Sequence, residues 1–240
     1  GILADFFYGG VTVTNVHVID GVISSSSSSV TRLGGITGRL YSSDNRPTIM
    51  DSVSFSGSIN GGGSQFVGGI IGEFTSMTGT NQISNAVFNG VISGGQNVGG
   101  IIGRAGEGWD GNNLGTIDSC YSVGSISGTT RTGGIYAEAY KSTSTSASIT
   151  TINSVSLLSN SLTNRIGPSN TRFSYNNNYA YVSSGTAGTV TNNNGANVYP
   201  TSENTPYWTH DDFWMNTMGW DSNIWIFDNN AVWSDGTNTY

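Results

Sequence analysis

A pair of adjacent glycines followed by isoleucine recurs four times along the 240 residues of this chain. Gly34-Gly35-Ile36-Thr37-Gly38, Gly68-Gly69-Ile70-Ile71-Gly72, Gly99-Gly100-Ile101-Ile102-Gly103 and Gly133-Gly134-Ile135-Tyr136-Ala137 lie 34, 31 and 34 residues apart. A second glycine marches in step. Gly21, Gly57, Gly90 and Gly124 close the segments Asn15–Gly21, Asp51–Gly57, Ser84–Gly90 and Asp118–Gly124, and Asn153–Ser159 reads as a degenerate fifth copy. A period of this size implies a solenoid or an array, because each unit can bury its apolar side chains only against its neighbours.

Alignment on the second glycine produces columns. Four residues before it stand His17, Val53, Ala86, Cys120 and Val155; two before it, Ile19, Phe55, Phe88, Ser122 and Leu157; two after it, Ile23, Ile59, Ile92 and Ile126. Positions two apart share one face of a strand, so these columns point inward together and the mostly polar positions between them point out. The repeat predicts two short strands around the second glycine and a third around Gly-Gly-Ile, with glycines at corners that need positive φ or close backbone approach. Three strands and three corners per repeat make one turn of a parallel β-helix. About five turns over residues 11–165, stacked ~4.8 Å apart, give a rod roughly 24 Å long. Right-handed crossovers are the general preference, so the expected fold is all-β, a right-handed parallel β-helix. Ser24–Ser29 falls in the longest gap between the two anchors and reads as a solvated corner.

Composition narrows the function classes. Charged residues are only 10% of the chain and the net charge is -7, which removes the basic footprint of a nucleic-acid binder. A single cysteine, Cys120, excludes an intrachain disulfide or a cysteine-based zinc cluster. No run approaches the ~20 apolar residues of a membrane-spanning helix. The start, Gly1-Ile2-Leu3-Ala4-Asp5, lacks the basic and apolar regions of a signal peptide, so the expectation is a mature or trimmed secreted chain at the cell exterior.

The segment Ile117-Asp118-Ser119-Cys120-Tyr121-Ser122-Val123-Gly124-Ser125-Ile126, followed by Thr132-Gly133-Gly134-Ile135, resembles the GLUG repeat, as do Ile83–Ile92 and Val98–Gly103. The resemblance covers about residues 11–163. It departs at His17, where an apolar residue is usual, and at Asn164-Arg165-Ile166-Gly167, which replaces the double glycine. That family occurs in large bacterial surface proteins, including adhesins and exoproteins, so the resemblance implies a surface-exposed repeat scaffold. It transfers no catalytic residue.

Five of the six tryptophans, Trp208, Trp214, Trp220, Trp225 and Trp233, lie in the last 33 residues. Residues 206–240 are therefore expected to form a non-solenoid cap, with 166–205 an irregular connection or degenerate turn and 1–10 an N-terminal cap or interface segment. Thr209-His210-Asp211-Asp212-Phe213-Trp214 begins like a short helix, with Thr209 or Asp211 as the capping acceptor. An aromatic unit of this kind is expected to cover the open end of the solenoid, where core and strand edges would otherwise be exposed, or else to offer rings to a sugar face. Trp109, in Gly106-Glu107-Gly108-Trp109-Asp110-Gly111, lies outside both strand motifs and is the better place for an exposed aromatic.

Catalytic constellations are scarce. His17 and His210 are far apart, no Gly-x-Ser-x-Gly elbow occurs, and Cys120 shares a column with small apolar residues. Asp51 and Asp118 share a column but stand two turns apart, roughly 10 Å at ~4.8 Å per turn, where Asp, Asn and Ser cap corners. No Asp-x-Asp-x-Asp-Gly calcium loop is present. The sequence therefore predicts no catalytic, cofactor or metal residues and a non-enzymatic extracellular scaffold or adhesion protein. A polysaccharide-binding or polysaccharide-degrading β-helix is the alternative. Phe6, Phe7, Tyr8 and Trp109 are the candidate ligand or subunit contacts. The partner classes are a head-to-tail homopolymer or a longer surface protein, and a glycan or cell-surface receptor, with no nucleic acid and no membrane span.

Overall fold

The computed structural model describes residues 1–27, 30–42, 46–76, 80–107, 114–140, 148–169, 173–183, 185, 193–200 and 206–225. They form a parallel β-solenoid of four complete turns. The first comprises β1 (Ala4–Tyr8), β2 (Thr12–Ser24) and β3 (Arg32–Gly34); the second, β4 (Thr37–Ser42), β5 (Thr48–Gly62) and β6 (Phe66–Gly68). The third comprises β7 (Ile71–Ser76), β8 (Thr80–Gly94) and β9 (Asn97–Gly99). In the fourth, β10 (Ile102–Glu107) is followed by β11 (Leu114–Asp118), β12 (Tyr121–Ile126) and β13 (Arg131–Gly133). The stack continues through β14 (Tyr136–Tyr140), β15 (Ser148–Ile152), β16 (Val155–Leu158), β17 (Phe173–Asn176), β18 (Tyr179–Tyr181) and β19 (Ala196–Val198). Three parallel sheets result: β1-β4-β7-β10-β14, β3-β6-β9-β13, and a ten-stranded sheet bent along its length.

The bend is a column of residues in the left-handed region. Asn15, Ser52, Asn85, Ser119, Asn153 and Asn177 all have φ between 50° and 55°. Register places them on successive rungs, since Asp51 pairs Ser84, Ser84 pairs Asp118, and Asp118 pairs Ile152. Asn and Ser tolerate this conformation because their short polar side chains bond locally. Here those bonds run from rung to rung: Asn85 Nδ2 donates to Asp51 Oδ1 (2.8 Å), Asn153 Nδ2 to Asp118 Oδ1 (3.2 Å), and Asn177 Nδ2 to Asn153 Oδ1 (2.9 Å).

Gly-Gly-Ile is a corner between two strands and not a strand of its own. The isoleucines Ile36, Ile70, Ile101 and Ile135 stack fully buried inside. The second glycine has no room for a side chain: a Cβ on Gly69 would enter the Phe88 ring and the carbonyl oxygen of Gly100. That packing leaves Phe55 and Phe88 stacked on adjacent turns, 6.3 Å apart. At the fifth corner Arg165 takes the glycine position, with Ile135 and Tyr136 N–H groups bonding to Ile166 O. Its buried guanidinium donates to the carbonyls of Ala180 (2.6 Å) and Tyr181 (3.1 Å), so the corner survives without the glycine pair.

Two columns are shifted from the sequence alignment. In the first turn a bulge lies between Val18 and Gly21, so Val16 and Val18, not His17 and Ile19, pair with Val53 and Phe55. His17 faces outward and bonds Ser54 Oγ at 2.9 Å, and Ile19 is 78% exposed. One extra residue before the glycine reverses every side chain behind it. In the fifth copy Gly124 pairs with Leu158, so Val155 and Leu157 pair with outward Tyr121 and Val123.

Those outward apolar residues are covered. The tryptophan-rich segment crosses the outer face of the bent sheet and forms a second core with Val155, Leu157, Tyr179, Tyr181 and Val198. Trp208 meets Tyr181 (ring centroids 5.3 Å apart), Phe213 meets Tyr179 (5.2 Å) and Trp214 meets Tyr121 (5.5 Å). Farther along, Trp220 Nε1 donates to Asn153 O (3.0 Å) and Trp225 Nε1 to Asn85 Oδ1 (3.2 Å), on the left-handed column itself. The segment thus covers a side of the stack. Its helical turn, Phe213–Thr217, is preceded by an Asp212 N–H that donates to His210 Nδ1 (3.2 Å), while the Thr209 hydroxyl donates to Pro200 O (2.7 Å).

Candidate functional site

The sharp corner at Gly-Gly-Ile folds the strand after it back against the strand before it, leaving a notch on the outside of the solenoid. Approach is close: a Cβ on Gly72 would lie 2.6 Å from Leu33 N. One wall carries the residue five positions after the first glycine of each pair. Arg39, Glu73, Arg104 and Glu138 pair in register on successive turns, a column of alternating charge. The facing wall carries Arg32, Phe66, Asn97 and Arg131 in its own register. Four of the eight basic residues of the chain therefore line one notch.

Glu73 sits at its centre with no exposed surface. Arg32 and Arg104 both bond its carboxylate directly, and Arg39 Nε lies 2.9 Å from Oε2. Arg104 also covers the Phe66 ring at 4.1 Å, and Arg131 pairs with Glu138 at 3.4 Å. A carboxylate is buried without large cost only when paired and bonded in this way. The stoichiometry is uneven, with three guanidinium groups around one carboxylate. Burial lowers the pKa of Arg39, and neighbouring Arg32 pushes the same way. Arg32 is lowered by burial, with Asp5 opposing.

At the first-turn end an aromatic rim closes the notch. Phe6 pairs with Arg39 and Tyr8 with Tyr41 along β1 and β4. The Arg39 guanidinium lies 4.5 Å from the Tyr41 ring centre and 5.5 Å from that of Phe6, and Tyr8 stacks on Tyr41 at 5.4 Å. Phe6 and Tyr8 are 44% and 53% exposed, whereas Phe7 between them packs against the solenoid core. A cavity of about 430 Å³ opens here, lined by Asp5, Phe6, Val30, Thr31, Arg32 and Arg39. Such an arrangement can hold an anion beside an aromatic face. The sequence reading singled out Phe6, Phe7 and Tyr8 but missed the arginines. Their signal was present in the fixed fifth position, Arg-Glu-Arg-Glu along the four repeats. Trp109 lies outside the described residues.

The remaining polar candidates are dispersed. Asp51 accepts from Ser84 (2.6 Å), Asn85 (2.8 Å) and Ser52 (3.0 Å), as a corner residue does. Burial raises its pKa, but these bonds outweigh it and hold the carboxyl below its ordinary value. Cys120 is fully buried in the core, which pushes its thiol up to about 12 and keeps it protonated. His210 Nδ1 lies 3.5 Å from Asp212 Oδ2 with both side chains half exposed or more, beside a second cavity of about 540 Å³ near Tyr179 and Tyr207. Among the described residues no group of three or more His, Cys, Asp or Glu could hold a metal ion, and no helix is long and apolar enough to cross a membrane. No family model, curated protein or solved structure matches the chain.

Proposed function

We propose that this chain is a non-enzymatic structural scaffold or adhesion segment of the cell exterior, built from GLUG-type repeats and continued into a stalk or a head-to-tail fibre. The observation that carries this reading is that each recurring column makes a rung-to-rung structural contact. The isoleucine, aromatic and glycine columns pack the interior, the left-handed column bonds along the stack, and the charged column pairs with itself. The resemblance to surface-protein repeats supports the location, and the outer edge of β1 and β2, which pairs with no other strand among the described residues, supports continuation of the stack. Protease treatment of intact source cells should degrade the chain, and electron microscopy of native material should show elongated stalks or fibres. A chain protected inside intact cells contradicts the location, and a dispersed monomer contradicts the polymer. Turnover of an acidic polysaccharide, lost in Asp118→Asn, would replace the scaffold by an enzyme.

A second reading, glycan binding, is favoured by the notch, where exposed aromatic faces adjoin guanidinium groups.

A further inference from the structure

We propose that the notch between β1, β3 and β4 is a subsite for a sugar acid, with Arg32 and Arg39 taking the carboxylate, Asp5 accepting from ring hydroxyls, and Phe6 covering the apolar face of the ring. The inference rests on the glycan-binding reading and narrows it to acidic glycans.

The charge balance points first to an anion. Arg104 and Glu73 already make a one-to-one pair within the ladder, as Arg131 and Glu138 do one turn on. Arg32 and Arg39 stand outside those pairs; Asp5 in the same cavity offsets one of them and leaves one surplus positive charge, and the two arginine side chains remain 33% and 28% exposed. Arg39 uses Nε for Glu73 and Thr75, and its terminal nitrogens make no hydrogen bond to a described residue. Arg32 uses Nε for Glu73 and one terminal nitrogen for Thr31 (3.1 Å). Planar guanidinium forks suit a carboxylate, which two such groups can share. In a chain of net charge -7 this is a local reversal of sign.

The neighbours of those donors point to a sugar and not to an acidic peptide. Phe6 offers an exposed ring whose face can stack on the C–H groups of a pyranose, while the Tyr8 ring, 5.8 Å away and inclined at 68°, stands edge-on at the rim. Asp5, in the same cavity, can accept from the hydroxyls that flank a sugar carboxylate, whereas a glutamate side chain brings no such donor. The cavity volume of about 430 Å³ lies within the ordinary range of small-molecule sites.

The test uses the full chain with three soluble polymers: polygalacturonate, dextran and polyglutamate. The expected result is binding of polygalacturonate that weakens with salt, with dextran and polyglutamate bound at least about tenfold more weakly. Thr31→Glu places a competing carboxylate at the mouth without touching Glu73, and should weaken polygalacturonate binding by about tenfold, as should Phe6→Ser. Arg39→Gln, verified to keep the circular dichroism of the parent, should do the same. Dextran bound as well as polygalacturonate would overturn the acidic inference while leaving glycan binding intact. Polyglutamate bound equally well would reduce the notch to charge alone. No binding to either polysaccharide, or polygalacturonate binding unchanged in Thr31→Glu and Phe6→Ser, would overturn the subsite itself.

Discussion

Glu73 holds three arginines together, so its removal leaves like charges facing one another across the notch. Breaking a buried charge cluster by deleting one partner is strongly destabilising, and the partial exposure of the arginines places the effect at the lower end of that range. Glu73→Ala should lower unfolding free energy by about 3 kcal/mol in a denaturant titration. Asp51 governs acid behaviour in a different way. Its folded carboxyl lies below the ordinary value of 3.8 because the bonds from Ser84, Asn85 and Ser52 overcome burial. A depressed carboxylate contributes stability that is complete above the ordinary value and lost as pH falls through the folded one. Wild type should therefore be more stable than Asp51→Asn at neutral pH. The gap should close as pH drops through the lowered folded value, and an unchanged gap at acid pH would contradict this assignment.

The elements divide into those whose cause is local in sequence and those that depend on distant partners. The corners were legible because double glycine and isoleucine recur with the close approach they allow, and so were the inward Phe55, Phe88, Ile59 and Ile92. The register of the first and fifth copies was not, because counting from the second glycine assumes equal lengths. The bulge at Ile19 and Asp20, and the loss of glycine opposite Gly124, each move the pattern by one residue. Part of the left-handed column was hidden for a related reason: Ser52, Asn85 and Ser119 all stand five residues before their glycines, but Asn15 stands six before Gly21 and joins them only once that shift is known. The notch arginines stood at a constant offset in the repeat, but their convergence on Glu73 requires the fold-back of two sheets. The aromatic composition of the terminal segment gave its apolar character, whereas its path along the side depends on Tyr121, Val155 and Leu157 facing outward. Trp220 ties that segment to the left-handed column, so Trp220→Ala, which removes a buried indole and its bond to Asn153 O, should cost about 3 kcal/mol by thermal or chemical unfolding.

At the scale of the molecule the charged notch, the left-handed ladder and the covered outer face all follow from one arrangement, parallel turns stacked in register. β1 belongs to that stack: it extends the first sheet as a parallel strand beside β4 and carries Phe6 and Tyr8 to the mouth of the notch. The stacking has a metric consequence. Ser58 pairs with Val91 and Val91 with Ser125, so the two serines stand on the same column two rungs apart. Cys120 is buried with its thiol protonated and does not compete for labels in the folded protein. Nitroxide labels on cysteines at positions 58 and 125 should give the strong dipolar broadening of backbones roughly 10 Å apart, two rungs at ~4.8 Å each. Labels more than roughly 20 Å apart, in a protein that keeps its parallel-sheet circular dichroism, would contradict the stacked solenoid.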